Sequence, residues 1–399
     1  MAATLSIERA HIITRIAFAS TYPPRQCGIA TFTHALSSAA GGREVVALLP
    51  PERVGPAPIE VHHRIRRDER ADYAAAARAV SGCADVVSIQ HGPGAWGGVD
   101  GAYVVDFAEA LTIPAVVTFH AVPRTPTPRQ CAIVAQLVAE VAATIVMSRS
   151  AASTLANAYG VDPGRIEIIP HGAPDLPLVD PATIKPALEL EGRAIVLGFG
   201  LLRPDKGYEL VIDALPAVVA MHPAARFVIV GSTHPDHLQR EGEAYREALM
   251  ARVRERGMVD HVQFVDRFVG RVELTRWLEA ADVFVTPYRD PDQDASGTLS
   301  YAMGAGRAVV STPYAVAAEM LDAGRGILVP FGSPDHLAEA VGRVLGDDEL
   351  RADIGRRAYE HTRQMTWTQV GVAYRRLLTG VATGVPIAAL RSALTATAT

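Results

Sequence analysis

Along the chain, short runs of β-branched and apolar residues alternate with longer stretches whose apolar positions recur every three or four residues. The first half has strand candidates at RIAFAS (15–20), EVVALL (44–49), DVVSIQ (85–90), AVVTFH (115–120), TIVMS (144–148) and IEIIPHG (166–172). The second half repeats the rhythm at AIVLGFG (194–200), RFVIVG (226–231), VQFVD (262–266), VFVTP (283–287), AVVST (308–312) and GILVP (326–330). These runs are nearly continuous rather than alternating, as in strands covered on both faces. Helical stretches between them imply βαβ units and parallel sheets. In GYELVIDALPAVVAMHP, Val211, Ala214, Leu215, Val218 and Val219 fall at helical spacing. Pro216 is expected to kink or break that helix, and Pro223 to close it.

Between the halves, APDLPLVDPATIKPALELEGR (173–193) is rich in proline and acid and carries no strand pattern, so it reads as a linker. The expectation is an α/β chain of two doubly wound, Rossmann-like lobes: residues 1–175, a hinge at 176–193, and residues 194–365. Such a chain holds its ligand in the interdomain cleft, at the carboxyl ends of the strands.

Composition narrows the function classes. Of 399 residues, 49% are hydrophobic and 20% charged, which suits soluble lobes with ample cores. A net charge of −5 argues against nucleic acid as a partner. Cys27, Cys83 and Cys131 are scattered with no CxxC pair, so neither a zinc motif nor a disulfide framework is suggested, and a reducing cytoplasm is the expected location. The first twenty residues lack a signal-peptide pattern, no apolar run is long enough to span a membrane, and the final TGVATGVPIAALRSALTATAT reads as a loose tail.

Three turns carry candidate chemistry. TYPPRQCGIATFTHAL (21–36) leaves the first strand through two prolines, an arginine and a cysteine, with Gly28 at the mouth of a helix. Gly28 lets a ligand approach the backbone closely, and the helix amides point into the cleft. The alternative is a plain strand-to-helix loop, and Cys27 reads as a packing residue. The second lobe opens the same way: after AIVLGFG, the loop LLRPDKG brings Arg203 and Lys206 to a strand end, a point charge and a planar fork suited to a diphosphate. A solvated basic turn is the alternative, and no Walker A pattern is present. Finally, Ser296, Gly297 and Thr298 precede a helix in DASGTLSYAMGAG, where free amides suit a phosphate and where Ser296 or Thr298 could simply cap. Asp290, Asp292 and Asp294 read as a solvated acidic loop. His91 ends a strand in IQHGPGAWGG, beside glycines that suggest a mobile acceptor-side loop.

Taken together, RQCGIATFT, VVTFH, IIPHG, GFGLLRPDKGYELVIDAL, ARFVIVG, AADVFVTPY, SYAMGAGRAVVSTPYAVAAEML and GRGILVPFGSPDHLAEAVGRVL resemble, in this order, the GT-B retaining glycosyltransferases of family 4 (glycosyl transferases group 1). The resemblance spans nearly the whole chain. It implies a nucleotide-diphosphate sugar donor on the second lobe and a sugar, glycan or lipid-linked acceptor on the first. It also implies that residues 366–399 form a helix crossing back to the first lobe, plus a tail.

Carried over by position, Gly28 matches the acceptor-side glycine facing the donor phosphate, and His120 the strand-end histidine near the transferred sugar. Lys206 matches the phosphate-binding lysine and Glu319 a downstream acid of the nucleotide pocket. Two positions depart from the pattern. The family's usual arginine stands where this chain has Leu201, with Arg203 two residues on as a substitute. The two usual glutamates of the last motif fall at Gln293 and Tyr301, and tyrosine cannot accept from both ribose hydroxyls as a carboxylate does. The reading implied is a retaining hexosyltransferase that needs neither cofactor nor metal. A phosphorylase, a sugar-nucleotide epimerase and a donor-binding pseudoenzyme of the same fold remain alternatives. A dehydrogenase fits less well, because no GxGxxG follows the first strand. The cluster HHRIRRDER (62–70) leaves peripheral membrane contact open but reads better as a solvated face.

Overall fold

The computed structural model describes residues 14–42, 44–49, 58–92 and 94–389, so the first residues and the end of the tail lie outside the described residues. Two wholly parallel sheets are present. The first contains β1 (Ile16–Thr21), β2 (Glu44–Leu49), β3 (Val61–Arg66), β4 (Val86–His91), β5 (Ala115–Phe119), β6 (Ala143–Val146) and β7 (Ile166–Ile168), in the order β3-β2-β1-β4-β5-β6-β7. The second contains β8 (Ala194–Phe199), β9 (Ala225–Val230), β10 (Val262–Val265), β11 (Val283–Thr286), β12 (Ala308–Ser311) and β13 (Ile327–Leu328), in the order β10-β9-β8-β11-β12-β13. The strand order reverses at β1/β4 in one sheet and β8/β11 in the other, and loops leaving a sheet on either side of such a point diverge and open a crevice. This is the expected two-lobed α/β architecture. The central strands β1 and β4 are buried along their whole length, which accounts for their unbroken apolar sequence.

Two elements depart from the sequence reading. HHRIRRDER is the solvated face expected, and it also supplies an edge strand that the sequence did not mark: only Ile65 of β3 is buried, and the flanking charges blunt the edge. Three of its arginines are paired, Arg66 with Asp72 at 2.8 Å, Arg67 with Asp68 at 3.2 Å and Arg70 with Asp106 at 2.8 Å. Pro216 neither ends nor splits its helix, which runs as Tyr208–Met221. Ile212 and Leu215 before the proline and Val218 after it are all buried, so packing keeps both turns in one helix despite the missing N–H.

The two places where the chain passes between lobes lie side by side. Ala173 N–H donates to Met365 O at 2.7 Å, and Trp367 N–H donates to Ala173 O at 3.0 Å. Beyond the second crossing, the helix Trp367–Ala382 lies on the first lobe, where Tyr374 Oη meets Thr118 Oγ1 at 3.1 Å. A Cβ at Gly371 would stand 2.5 Å from the backbone of Ala39, so this helix and the helix Gly28–Ala40 approach as closely as backbones allow. The segment after Ala173 is fixed to the second lobe by a buried pair: Lys185 Nζ reaches Asp282 at 2.7 and 2.9 Å, and the same carboxylate accepts from Ile195 N–H.

Removing one member of a buried pair strands the other charge. Lys185→Met is therefore expected to lower stability by about 3 kcal/mol, read as a shift of the urea midpoint in denaturant unfolding. A midpoint unchanged within error would show that the pair does not hold this segment.

Candidate active site

The loops at the two reversal points face each other. From the second lobe, the loop after β8 carries Arg203 and Lys206, and the loop after β11 leads to the helix Gly297–Gly304. Three glycines make this packing feasible. Gly207 has φ +64°, and a Cβ there would sit 2.1 Å from Pro287 O, so the two loops interlock only with glycine. A Cβ at Gly200, the strand-end glycine, would touch Thr298. A Cβ at Gly297 would come within 2.8 Å of His171 Nε2 from the first lobe.

Lys206 Nζ lies 3.8 Å from the centre of the Tyr288 ring and has no carboxylate within salt-bridge distance among the described residues. Burial, reinforced by the charge of Arg203, lowers its pKa to about 8. Tyr288 Oη meets Thr298 Oγ1 at 2.7 Å, placing the ammonium beside the first turn of the helix Gly297–Gly304. Ser296 caps that helix, its Oγ accepting from Leu299 N–H at 3.3 Å. The earliest amides, at Gly297 and Thr298, belong to the part of a helix that has no internal acceptors. Arg203 Nε contacts Asp205 Oδ1 at 2.6 Å, an ionic contact out of line for a hydrogen bond, and the side chain is partly exposed.

The first lobe adds a cation that the sequence reading passed over. Arg25, in the turn after β1, has a buried Nη1 with no hydrogen-bond partner. His234 of the second lobe is held below its usual pKa by burial first and then, against Asp236, by the positive charges of Arg203 and Arg25. Arg25 and Arg203, from opposite lobes, thus act on the same imidazole. Gly28 starts its helix with open space where a Cβ would be, and Cys27 caps it, Sγ accepting from Ala30 N–H.

The histidines across the cleft are all neutral at pH 7. His120, just after β5, has its pKa lowered to about 3 by burial, then by His171 and His91. His120 Nε2 lies 3.0 Å from Gln90 Oε1. The Gln90 amide nitrogen donates to Ser88 and Thr118, so its oxygen must accept from the imidazole. That fixes the proton on Nε2 and leaves Nδ1 as an acceptor. His171 is lowered to about 4 by burial, Nδ1 lies 2.8 Å from Gly172 O, and its ring packs edge-on against Phe32, Trp367 and Tyr301. His91, 4% exposed, is lowered to about 4 by burial, and neither ring nitrogen has a partner. It lines a pocket with Phe119, Val122, Ile133, Leu155 and Tyr159, in which Asp100 is the only charged side chain.

The remaining expected donor residues sit as follows. Tyr301 is buried, its Oη taking a hydrogen bond from Trp367 Nε1 at 3.1 Å. Gln293 donates its amide to Ala295 O at 3.1 Å. Glu319 is engaged with the first lobe: its carboxylate accepts from the amides of Arg149 and Ser150, at the start of the helix Arg149–Tyr159. A carboxylate suits a helix N-terminus, and here it ties the lobes together. Asp294 corrects the expectation of a solvated acidic loop. It is 6% exposed, its Oδ2 accepts from Val122 N–H at 2.9 Å, and Ser148 Oγ donates to its carbonyl at 3.1 Å. Burial pushes its pKa up to about 7. Arg25, Asp294, His171 and Gln90 were thus missed as individual residues, although RQCG and IIPHG had marked two of their loops.

Comparison with known proteins places the chain. Residues 28–175 match the Glycosyltransferase Family 4 model and residues 193–347 match Glycosyl transferases group 1. The chain carries the paired domains of this glycosyltransferase family. It is 28% identical over 292 residues to a D-inositol 3-phosphate glycosyltransferase of Jonesia denitrificans, covering 65% of this chain and 64% of that protein. It is 28% identical over 206 residues to a phosphatidyl-myo-inositol mannosyltransferase of Mycolicibacterium smegmatis, covering 51% and 47%. The matches thus span about half to two thirds of these relatives' length. Among solved structures, Anabaena Alr3699/HepE in complex with UDP and glucose superposes with a TM-score of 0.74 at 15% identity, over 92% of this chain and all of that one. The trehalose-6-phosphate synthase OtsA superposes at 0.69 with 14% identity, over 92% and 99%. These likenesses establish the GT-B fold.

Lys206 holds its proton below about pH 8 and loses it above. Affinity of the free protein for a nucleoside diphosphate is expected to fall as pH rises through that value, and the break should vanish in Lys206→Arg, which stays charged. Titration calorimetry with UDP, GDP and ADP between pH 6.5 and 9.5 checks this, and a flat profile for the unaltered protein with a nucleotide that binds would refute it.

Proposed function

We propose that the chain is a retaining glycosyltransferase that moves a hexose from a nucleotide-diphosphate sugar to an acceptor hydroxyl. The observation that carries this reading is the convergence of Lys206, Arg203 and the first amides of the helix Gly297–Gly304 on one side of the cleft, opposite three neutral histidines. Breaking the bond between sugar and diphosphate loads negative charge on the leaving group. An ammonium with no carboxylate partner, a guanidinium and helix amides favour that charge more than they favour the ground state. Arg25 would add a donor from the acceptor lobe.

As charge leaves, the sugar ring becomes cationic. His120, fixed with Nδ1 as an acceptor, serves to hold a sugar hydroxyl and is too weak a base to compete for a proton at neutral pH. Retention would follow from attack on the face from which the diphosphate departs, with a leaving-group oxygen taking the acceptor proton. These residues supply the charge neutralisation a metal would give, so turnover is expected to survive chelation by EDTA. The family membership and the UDP and glucose bound by the Anabaena neighbour favour a nucleotide-sugar donor. Gln293 and Tyr301, both already hydrogen-bonded within the protein, suit a ribose contact unlike the usual paired glutamates.

The acceptor proposed is a sugar, glycan or lipid-linked compound bearing a free hydroxyl, held by the first lobe, where His91 is buried and without a hydrogen-bond partner among the described residues.

The test is turnover with a panel of UDP-, GDP- and ADP-hexoses, scored for transfer, hydrolysis and anomeric configuration. The expected outcome is transfer with retention that drops about 100-fold or more in Lys206→Met, with the fold preserved by circular dichroism. Dependence on inorganic phosphate would turn the assignment to a phosphorylase, and donor binding without turnover to a pseudoenzyme.

A further inference from the structure

At the opposite end of the first sheet, away from the cleft, three side chains from three elements converge. Glu44 begins β2, His63 lies on β3 and Cys83 follows the helix Arg70–Ser81. One ligand atom from each lies within 4.8 Å of the others, and all three residues are partly buried. Regular pleating would send His62 and His63 to opposite faces of the sheet. The β2–β3 register prevents this: Val45 pairs with Val61 and Val46 with His63, so a bulge leaves His62 without a strand partner. A bulge of this kind re-aims side chains. Here both histidines turn toward Glu44, with His62 Nδ1 3.0 Å from Glu44 Oε2.

We infer that Glu44, His63 and Cys83 form a binding site for a divalent transition-metal ion, best suited to zinc. The distance from Cys83 Sγ to His63 Nε2 is 3.5 Å. Tetrahedral zinc with sulfur at about 2.3 Å and nitrogen at about 2.05 Å requires a separation of about 3.6 Å between those ligands. The ligand set is thiolate, imidazole and carboxylate, a borderline-soft set that favours zinc over calcium or magnesium. On binding, the Cys83 thiol releases its proton to solvent and its sulfur bonds the metal; Zn²⁺, one thiolate, one carboxylate and a neutral imidazole sum to zero charge. Water fills the fourth position. His62 becomes the outer partner that orients the Glu44 carboxylate. Arg15, whose charge acts on Cys83, is paired with Asp85 at 2.7 Å and so is partly neutralised. The site joins β2, β3 and the start of β4, and its role is to staple the edge of the acceptor lobe rather than to take part in transfer.

Cobalt tests the inference, because a tetrahedral Co²⁺–thiolate centre has a near-ultraviolet charge-transfer band that depends on the sulfur. The metal-free full chain is titrated with Co²⁺, then with Zn²⁺. The expected result is a band that saturates at one equivalent, is displaced by zinc, and is lost in Cys83→Ser and in His63→Gln. It should persist in Cys27→Ser and Cys131→Ser. The melting temperature should rise with zinc in the unaltered protein only, while each variant's unliganded melting profile shows that it folds. Absence of the band in the unaltered chain, or its survival in folded Cys83→Ser, would overturn the assignment. Neither result bears on the glycosyltransferase reading.

Discussion

An ammonium taken out of water and given no carboxylate is the constraint around which the cleft is organised. Lys206 is held over the Tyr288 ring, a far weaker partner than an anion; Arg203 acts on it with the same sign, and Asp205, in contact with Arg203, offsets part of this. The protein tolerates this because the loops that carry the charges are locked by interactions elsewhere: Gly207 against Pro287, Thr298 against Tyr288. Two cations with a single nearby carboxylate leave a net positive charge in these loops. The first lobe contributes Arg25 together with imidazoles too deeply buried to be charged.

The lobes are joined by more than their two crossings. Asp294 and Glu319, both from the second lobe, accept hydrogen bonds from backbone amides of the first. Carboxylates at such positions act as removable clasps. Glu319 faces a helix N-terminus, whereas Asp294 is buried, with its pKa pushed up to about 7. They join the lobes at points separate from the two chain crossings. Asp294 is also three residues from Gly297, at the start of the helix Gly297–Gly304.

Much of the fold was legible from periodicity. The unbroken apolar runs marked strands buried on both faces, and the glycines and cations after the first strand of each half marked the turns at the cleft. The reading failed where context overrides local preference. β3 is short, charged and half exposed because it lies at an edge, where one buried residue, Ile65, suffices to hold it. Pro216 stays inside a helix because packing holds the turns on either side. Asp294 looked like one of three solvated acids, and nothing in DPDQDAS distinguishes the one whose carboxylate meets an amide some 170 residues away in sequence.

The order of apolar runs and the composition of the loops after them determined, without coordinates, that this chain has two parallel α/β lobes and that Arg203 and Lys206 stand at a strand end. Those are local properties, set by side-chain periodicity of two or 3.6 and by the few residues that permit sharp turns. Charge state, partnership and proximity belong to the tertiary structure alone. Whether Lys206 is paired, which nitrogen of His120 bears the proton, and that Arg25 and Arg203 act on the same imidazole, His234, all depend on contacts between residues far apart in sequence. The same holds for Glu44, His63 and Cys83, whose spacing matches no metal motif and which meet only because a bulge shifts one strand against its neighbour.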